Sequence, residues 1–233
     1  MNTILITGTN RGLGLELTRQ FGEGGWRVLA CCRQPDRAEA LQVLARKTPT
    51  ISIHPLDVAD PEQIARISHE LREQSIDILL NNAGIFGPRD VDFGTIGPAE
   101  VAAWLQVFAT NSIGPLLVTQ AFVDQVARSP RKLVAIISSR GGSLGDNRSG
   151  GMTIYRSSKA AVNQVMLNLS HALRDRDITV VGLHPGWVQT DMGGAEAPLT
   201  PATSVRGLKR VLEQLTPAQT GQFLGYDGVP VPW

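Results

Sequence analysis

The chain has 233 residues, 42% hydrophobic and 18% charged, which suits one globular domain large enough to bury a core and shape a cleft. Its 22 basic and 21 acidic side chains leave a formal charge of +1, so there is no field to gather nucleic acid or an anionic membrane, and a small-molecule partner is favoured. The start, Met1-Asn2-Thr3-Ile4-Leu5-Ile6, enters an apolar strand without a basic leader, and no uninterrupted apolar run reaches eighteen residues, so a cytoplasmic protein with no membrane association is expected.

In chain order, short β-branched runs alternate with amphipathic stretches of helix length. Strands are predicted near 2–7, 26–32, 50–56, 76–81, 132–138, 178–184 and 221–225. Helices are predicted near 12–23, 35–46, 61–74, 97–127 (broken at Gly114-Pro115), 155–174 and 201–215. The alternation is that of repeated βαβ units, so the expected architecture is α/β. Three loops follow strands and should carry function: 84–97, 140–151 and 186–201, the last given mobility by Gly193-Gly194.

The first strand leads directly into Thr7-Gly8-Thr9-Asn10-Arg11-Gly12-Leu13-Gly14, where a helix begins. Glycines at such a turn let the backbone approach a pyrophosphate, and the exposed amides and positive helix end stabilise the anion. Gly8, Asn10, Arg11, Gly12, Leu13 and Gly14 are therefore candidate cofactor contacts. In dinucleotide-binding units a carboxylate closing the second strand bonds the ribose 2′-hydroxyl. Here that strand ends Cys31-Cys32-Arg33. An acidic group would repel a 2′-phosphate, whereas Arg33, with help from Arg11, can pair with one, so NADP(H) is expected in preference to NAD(H), which stays open. The two cysteines point to opposite faces of a strand, which argues against a disulfide between them and fits a reducing compartment.

The fifth strand ends in Ser138-Ser139. Tyr155 and Lys159 then stand four residues apart on one helix face, where a nearby ammonium would favour the phenolate and make Tyr155 a general acid–base. A lone Y-x-x-x-K arises often by chance. The four histidines, His54, His69, His171 and His184, show no metal-ligand spacing, so no metal is expected and they are assigned to surface or packing. Ser157 and Ser158 read as helix filler, and the tryptophans as core or interface aromatics, with Trp187 a candidate pocket residue.

Taken in order, Thr7-Gly8-x-x-x-Gly12-x-Gly14, Asp57-Val58, Asn81-Asn82-Ala83-Gly84, Asn111, Ser138-Ser139, Tyr155-x-x-x-Lys159 and Pro185-Gly186 resemble the short-chain dehydrogenase/reductase family over essentially the whole chain. The glycine-loop variant, the segment His184 to Gly194 and the tail Gly225-Tyr226-Asp227-Gly228 are similar to its C-factor and sniffer-type carbonyl reductases. The resemblance implies a Rossmann-type doubly wound parallel seven-stranded sheet with helices on both faces, a three-layer sandwich forming a single domain over 1–233. It implies that Asp57 and Val58 contact adenine, that Asn82, Ala83 and Gly84 support the cofactor, and that Pro185, Gly186, Val188 and Thr190 hold the nicotinamide end. Lys159 would also bind the nicotinamide ribose. Ser139 would be the catalytic serine, with Ser138 the alternative, and Asn111 would complete a water-mediated proton relay to Lys159. Ser139 and Tyr155 are 16 positions apart, a few more than usual in the family.

The expected activity is carbonyl reduction or its reverse on a small hydrophobic carbonyl or alcohol, in a pocket around Phe86, Leu144, Trp187 and Met192. The helices at 97–127 and 155–174 would pair with their copies in a homodimer, a tetramer being the other arrangement. Two other readings are carried: a cofactor-binding signalling or regulatory protein with little turnover, and an epimerase or dehydratase, for which little chain remains to build a substrate domain. The tail Val229-Pro230-Val231-Pro232-Trp233 could meet a subunit or cover the pocket.

Overall fold

Alternate residues of the first strand send their side chains to opposite faces, and both faces are apolar, as a strand buried on two sides requires. In the computed structural model, which describes residues 1–88 and 101–233, Ile4 and Ile6 enter one core and Leu5 the other. The strands are β1 (Thr3–Thr7), β2 (Arg27–Cys32), β3 (Ile51–Pro55), β4 (Ile78–Asn81), β5 (Leu133–Ile137), β6 (Thr179–His184) and β7 (Phe223–Gly225). They form one sheet in the order β3-β2-β1-β4-β5-β6-β7, with every neighbouring pair parallel. All seven lie within two residues of their predicted bounds.

The helices are α1 (Gly12–Glu23), α2 (Glu39–Lys47), α3 (Pro61–Glu70), α4 (Val101–Phe108), α5 (Gly114–Ala127), α6 (Thr153–Ala172) and α7 (Pro201–Gln214). One core packs Leu17 and Phe21 of α1, Leu41 of α2 and Leu208 and Leu212 of α7 on the sheet. The opposite core packs Ile64 and Ile67 of α3, Phe122 of α5 and Met166 of α6. This is the expected doubly wound, three-layer Rossmann-type arrangement. Cys31 and Cys32 are both free and lie in opposite cores.

The structure adds local detail to these expectations. The break anticipated at Gly114-Pro115 is a π-helical turn, Ala109–Ile113, after which α5 continues. Gly114 keeps helical angles, and a Cβ there would stand 2.8 Å from the Val58 carbonyl oxygen, so the glycine serves close packing and not a kink. Residues 89–100, which hold most of the loop expected at 84–97 and the start of the helix expected at 97, lie outside the described residues.

The segment after β6, where mobility is expected from its glycine pair, carries a bridge and two hydrogen bonds of its own. Val188 forms a bridge with Leu199, Gly193 N donates to Thr190 Oγ1 at 3.1 Å, and Gly194 N donates to Thr190 O at 2.8 Å. A Cβ on Gly193 would be 2.0 Å from the Val188 carbonyl, so this glycine permits backbone contact.

The tail folds onto its own chain. Val231 N donates to Phe223 O at 2.8 Å, Trp233 stacks on Phe223, and the Trp233 carbonyl accepts from Ser143 Oγ at 3.0 Å and Gly145 N at 2.8 Å. The edge strand β7 is thereby covered.

Finally, the run Val101–Ala127 is long and apolar enough by length and composition to cross a membrane, with mean hydropathy 1.4. Its Val118, Phe122 and Val126 are fully buried against the sheet, while Val101, Leu105 and Ile113 are exposed.

Candidate active site

The strand order reverses between β1 and β4, and in such sheets ligands bind beyond the carboxyl ends of the strands at that point. Two turns meet there. A Cβ on Gly8, which has φ +72°, would stand 2.8 Å from Ala83 Cα, and one on Gly14 would stand 2.0 Å from the Gly8 carbonyl oxygen. No side chain fits at either place. Asn82 Nδ2 donates to Thr7 O at 2.8 Å and to Gly8 O at 3.2 Å, while Thr7 Oγ1 accepts from the amides of Asn82 and Ala83, both at 3.0 Å. Asn82 and Ala83 thus brace the glycine turn.

Helix α3 is capped by its own Asp60, whose carboxylate accepts from the Glu62 and Gln63 amides. At α1 the N-cap residue is Arg11, its side chain makes no capping bond, and the first turn carries no acidic residue. The free amides of α1, the glycine-lined approach and the exposed Arg33 after β2 fit a nicotinamide dinucleotide phosphate. Arg11 itself reaches across to Asp191 in the loop after β6, forming an ion pair. That loop also brings the Thr190 methyl to within 3.5 Å of a Cβ built at Gly12. Asp57 accepts from the Ala59 amide, and Val58 is buried and packed against Gly114.

Beyond β5 the two serines separate. Ser138 is buried and donates to Asn163 Oδ1 at 2.5 Å, held inside the fold. Ser139 Oγ accepts from the Gly141 amide at 3.0 Å, and Ser139 Oγ and Tyr155 Cε1 stand 3.3 and 3.7 Å from a Cβ built at Gly141, so the hydroxyl lies beside the phenol ring. Tyr155 stacks on Phe86 with ring centroids 4.8 Å apart, and Lys159 Nζ lies 5.9 Å from the Tyr155 ring centroid. The Lys159 ammonium donates to Ile137 O at 2.9 Å.

Asn111 sits in the π turn, a distortion frequent at functional positions. Its amide bonds both backbone groups of Ile85 at 2.8 Å and donates to Ser158 Oγ at 3.0 Å. Asn111 Oδ1 and Lys159 Nζ both border Gly84, at 3.4 and 3.6 Å from a Cβ placed there. The structure therefore brings Asn111, Ser139, Tyr155 and Lys159 to one end of the sheet. Ser158, read from sequence as filler, anchors Asn111 while donating to Tyr155 O at 2.7 Å. Ser157 likewise accepts from the Trp104 indole at 3.0 Å.

The electrostatics differ from expectation. Burial pushes the Tyr155 phenol up, and its bond with Ser139 offsets this only in part. Burial also lowers the Lys159 ammonium to about 8. In the protein alone, desolvation of the phenol, and not the pull of the lysine anticipated from their spacing, sets the direction.

Ser139 and Tyr155 open into a cavity of about 780 Å³ whose apolar wall includes Phe86, Met152, Trp187, Met192, Val229 and Val231. Leu144, expected in that wall, is 78% exposed and does not border the cavity, because the tail binds its loop from the side. Met152 enters α6 with φ +50°, following Gly150 and Gly151 in the same left-handed region. Such a conformation is costly for a side chain and orients Met152 at the cavity just before Tyr155. His184, assigned from sequence to surface or packing, also lines the cavity. Its place beside Pro185-Gly186 at the carboxyl end of β6 was the available signal.

A short chain dehydrogenase family model matches residues 2–198, and the chain belongs to that family of oxidoreductases. C-signal of Myxococcus xanthus is 42% identical over 158 residues, covering 68% of this chain and 93% of that protein. Among solved structures, the carbonyl reductase Sniffer of Drosophila melanogaster superposes with a TM-score of 0.91 at 33% identity, covering both chains fully. The NADPH-bound carbonyl reductase from chicken fatty liver superposes with a TM-score of 0.90 at 34% identity, over 100% of this chain and 99% of that one.

Proposed function

We propose that the protein is an NADP(H)-dependent carbonyl reductase, acting as one domain, with Tyr155 as the proton donor. The observation that carries this reading is the placing of Ser139 beside the Tyr155 phenol on a largely apolar cavity, with the Lys159 ammonium 5.9 Å from the phenol ring centroid.

A bound nicotinamide supplies hydride to the carbonyl carbon. Ser139 polarises the carbonyl oxygen, and Tyr155 gives that oxygen its proton as negative charge develops on it. Burial keeps the phenol protonated at neutral pH, which suits an acid in the reducing direction. Lys159 is largely charged at pH 7; it supports the phenolate left behind and offers a donor to the nicotinamide ribose. Asn111, beside Gly84 and Lys159, orders a water that returns the proton. The 2′-phosphate is met by Arg33 and Arg11, and the likeness to an NADPH-bound carbonyl reductase supports that preference over NAD(H).

The exposed Val101, Leu105 and Ile113 on the α4–α5 run support a homodimer through these helices, and a cytoplasmic location accompanies this reading.

The test is oxidation of NADPH with a panel of ketones, aldehydes and quinones. Tyr155→Phe is expected to reduce turnover at least a hundredfold while NADPH still binds. Tight cofactor binding without turnover in the native chain favours the second reading, a signalling or regulatory protein, to which the likeness to C-signal lends support.

A further inference from the structure

The cavity has a polar end that carbonyl reduction leaves unused. Arg140 and Arg156 both line it, opposite no catalytic demand of their own. Arg156 follows Tyr155 directly, and its Cγ and Tyr155 Cε1 each stand 3.7 Å from a Cβ built at Gly141, so the guanidinium stem runs beside the phenol ring. Its head is oriented by two neutral groups: Nη1 donates to Asn147 Oδ1 at 2.9 Å and Nη2 to Ser149 Oγ at 3.0 Å. These bonds orient the fork without neutralising it. Arg140 pairs with Asp146 at 3.4 Å, so part of its charge is compensated.

Besides Tyr155, the other titratable groups on this cavity among the described residues are His184, Tyr226 and Asp227. Asp227 is engaged by the Val229 amide at 3.1 Å in the turn after β7. His184 Nδ1 accepts from the Arg140 amide at 3.2 Å, which puts the proton of the neutral ring on Nε2, a hydrogen-bond donor. Burial, with the Arg140 charge as a further cause, holds His184 at about 4, so it stays neutral at physiological pH.

Resting on the reductase reading, we propose that the substrate is a carbonyl compound carrying an anionic group of the carboxylate class, received by Arg156 with Arg140 beside it while its apolar body lies on Phe86, Met152 and Trp187. A preoriented guanidinium fork suits a planar carboxylate, and an apolar wall lowers the screening of that contact. A purely hydrophobic ketone would instead leave the Arg156 guanidinium on this cavity without a counter-charge.

The test compares an aryl keto carboxylate with its methyl ester, a pair matched in shape and carbonyl chemistry. For the native enzyme with NADPH, kcat/KM is expected to favour the acid about tenfold or more, the scale of a hydrogen bond to a charged group. Arg156→Gln should bring the acid-to-ester ratio close to one, and Arg156→Lys should keep part of the preference. A native ratio of one or less, or an unchanged ratio in Arg156→Gln, overturns the proposal. Calorimetric titration of both compounds into the NADP⁺-loaded protein separates it from the reductase reading. If neither compound is reduced, selective binding of the acid that Arg156→Gln abolishes still supports the anion site, and equal or absent binding of the two refutes it.

Discussion

Arg11, at the N-terminus of α1, is ion-paired with Asp191 in the loop after β6, joining the glycine turn to the segment that borders the cavity. Both side chains are largely exposed, so the pair is weak and sensitive to salt. A cofactor 2′-phosphate would have to draw Arg11 from this carboxylate. Asp191→Asn should therefore raise NADPH affinity about two- to fivefold relative to NADH. Arg33→Asp should weaken NADPH more than NADH. Fluorescence titration with both cofactors measures the two effects, and a loss of NADPH affinity in Asp191→Asn would show that the pair serves to close the loop over the cofactor.

Adjacent serines should respond differently to removal of their hydroxyls. Ser139→Ala deletes the Tyr155 partner and is expected to cost about a hundredfold or more in kcat with little change in stability. Ser138→Ala leaves Asn163 Oδ1 buried without its donor and should cost about 1–3 kcal/mol of stability with kcat nearly intact. Denaturant melts beside steady-state kinetics decide; the reverse pattern would exchange the two roles.

Lys159 should leave a signature in stability against pH. Its folded value of about 8 lies below the ordinary 10.5, so between these limits the unfolded chain binds the extra proton and stability rises with pH. Below about 8 the protein carries the full cost of a buried charge. Relative to Lys159→Met, the native protein is expected to gain up to about 3 kcal/mol from pH 8 to 10.5. Chemical denaturation of both proteins at several pH values measures this; a pH-independent difference would mean that Lys159 is not depressed.

Glycines should be intolerant of even one methyl where backbone meets backbone. Gly14→Ala places a Cβ 2.0 Å from Gly8 O and 2.7 Å from Asn82 Nδ2, and should destabilise by about 1–3 kcal/mol while weakening cofactor binding. Gly193→Ala meets the Val188 carbonyl and should also destabilise. Hydrogen exchange provides an independent check, since the Gly193 and Gly194 amides are both bonded to Thr190 and should be protected.

Much of this fold was legible because parallel strands buried on both faces leave an unambiguous run of apolar β-branched residues. The seven strands, the glycine turn and the order from Gly8 through Ser138-Ser139 to Tyr155 and Lys159 are local patterns, each readable within a short window. The Arg11–Asp191 contact was not legible: it links opposite ends of the chain through loop geometry. The Asn111–Ser158 bond and the role of Gly114 likewise depend on how α5 and α6 pack.

Sequence alone determined the family and with it the class of chemistry, since the motifs that carry the resemblance stand in order along the chain. Tertiary structure decided which of two serines faces the phenol, because Asn163 draws Ser138 inward. It decided that His184 and Arg156 border the cavity and Leu144 does not, because the tail and the loop after β5 are hydrogen-bonded together. It also decided the direction of the Tyr155 shift. Spacing revealed the nearby positive charge, but desolvation depends on everything packed around the phenol, and only the folded arrangement specifies that.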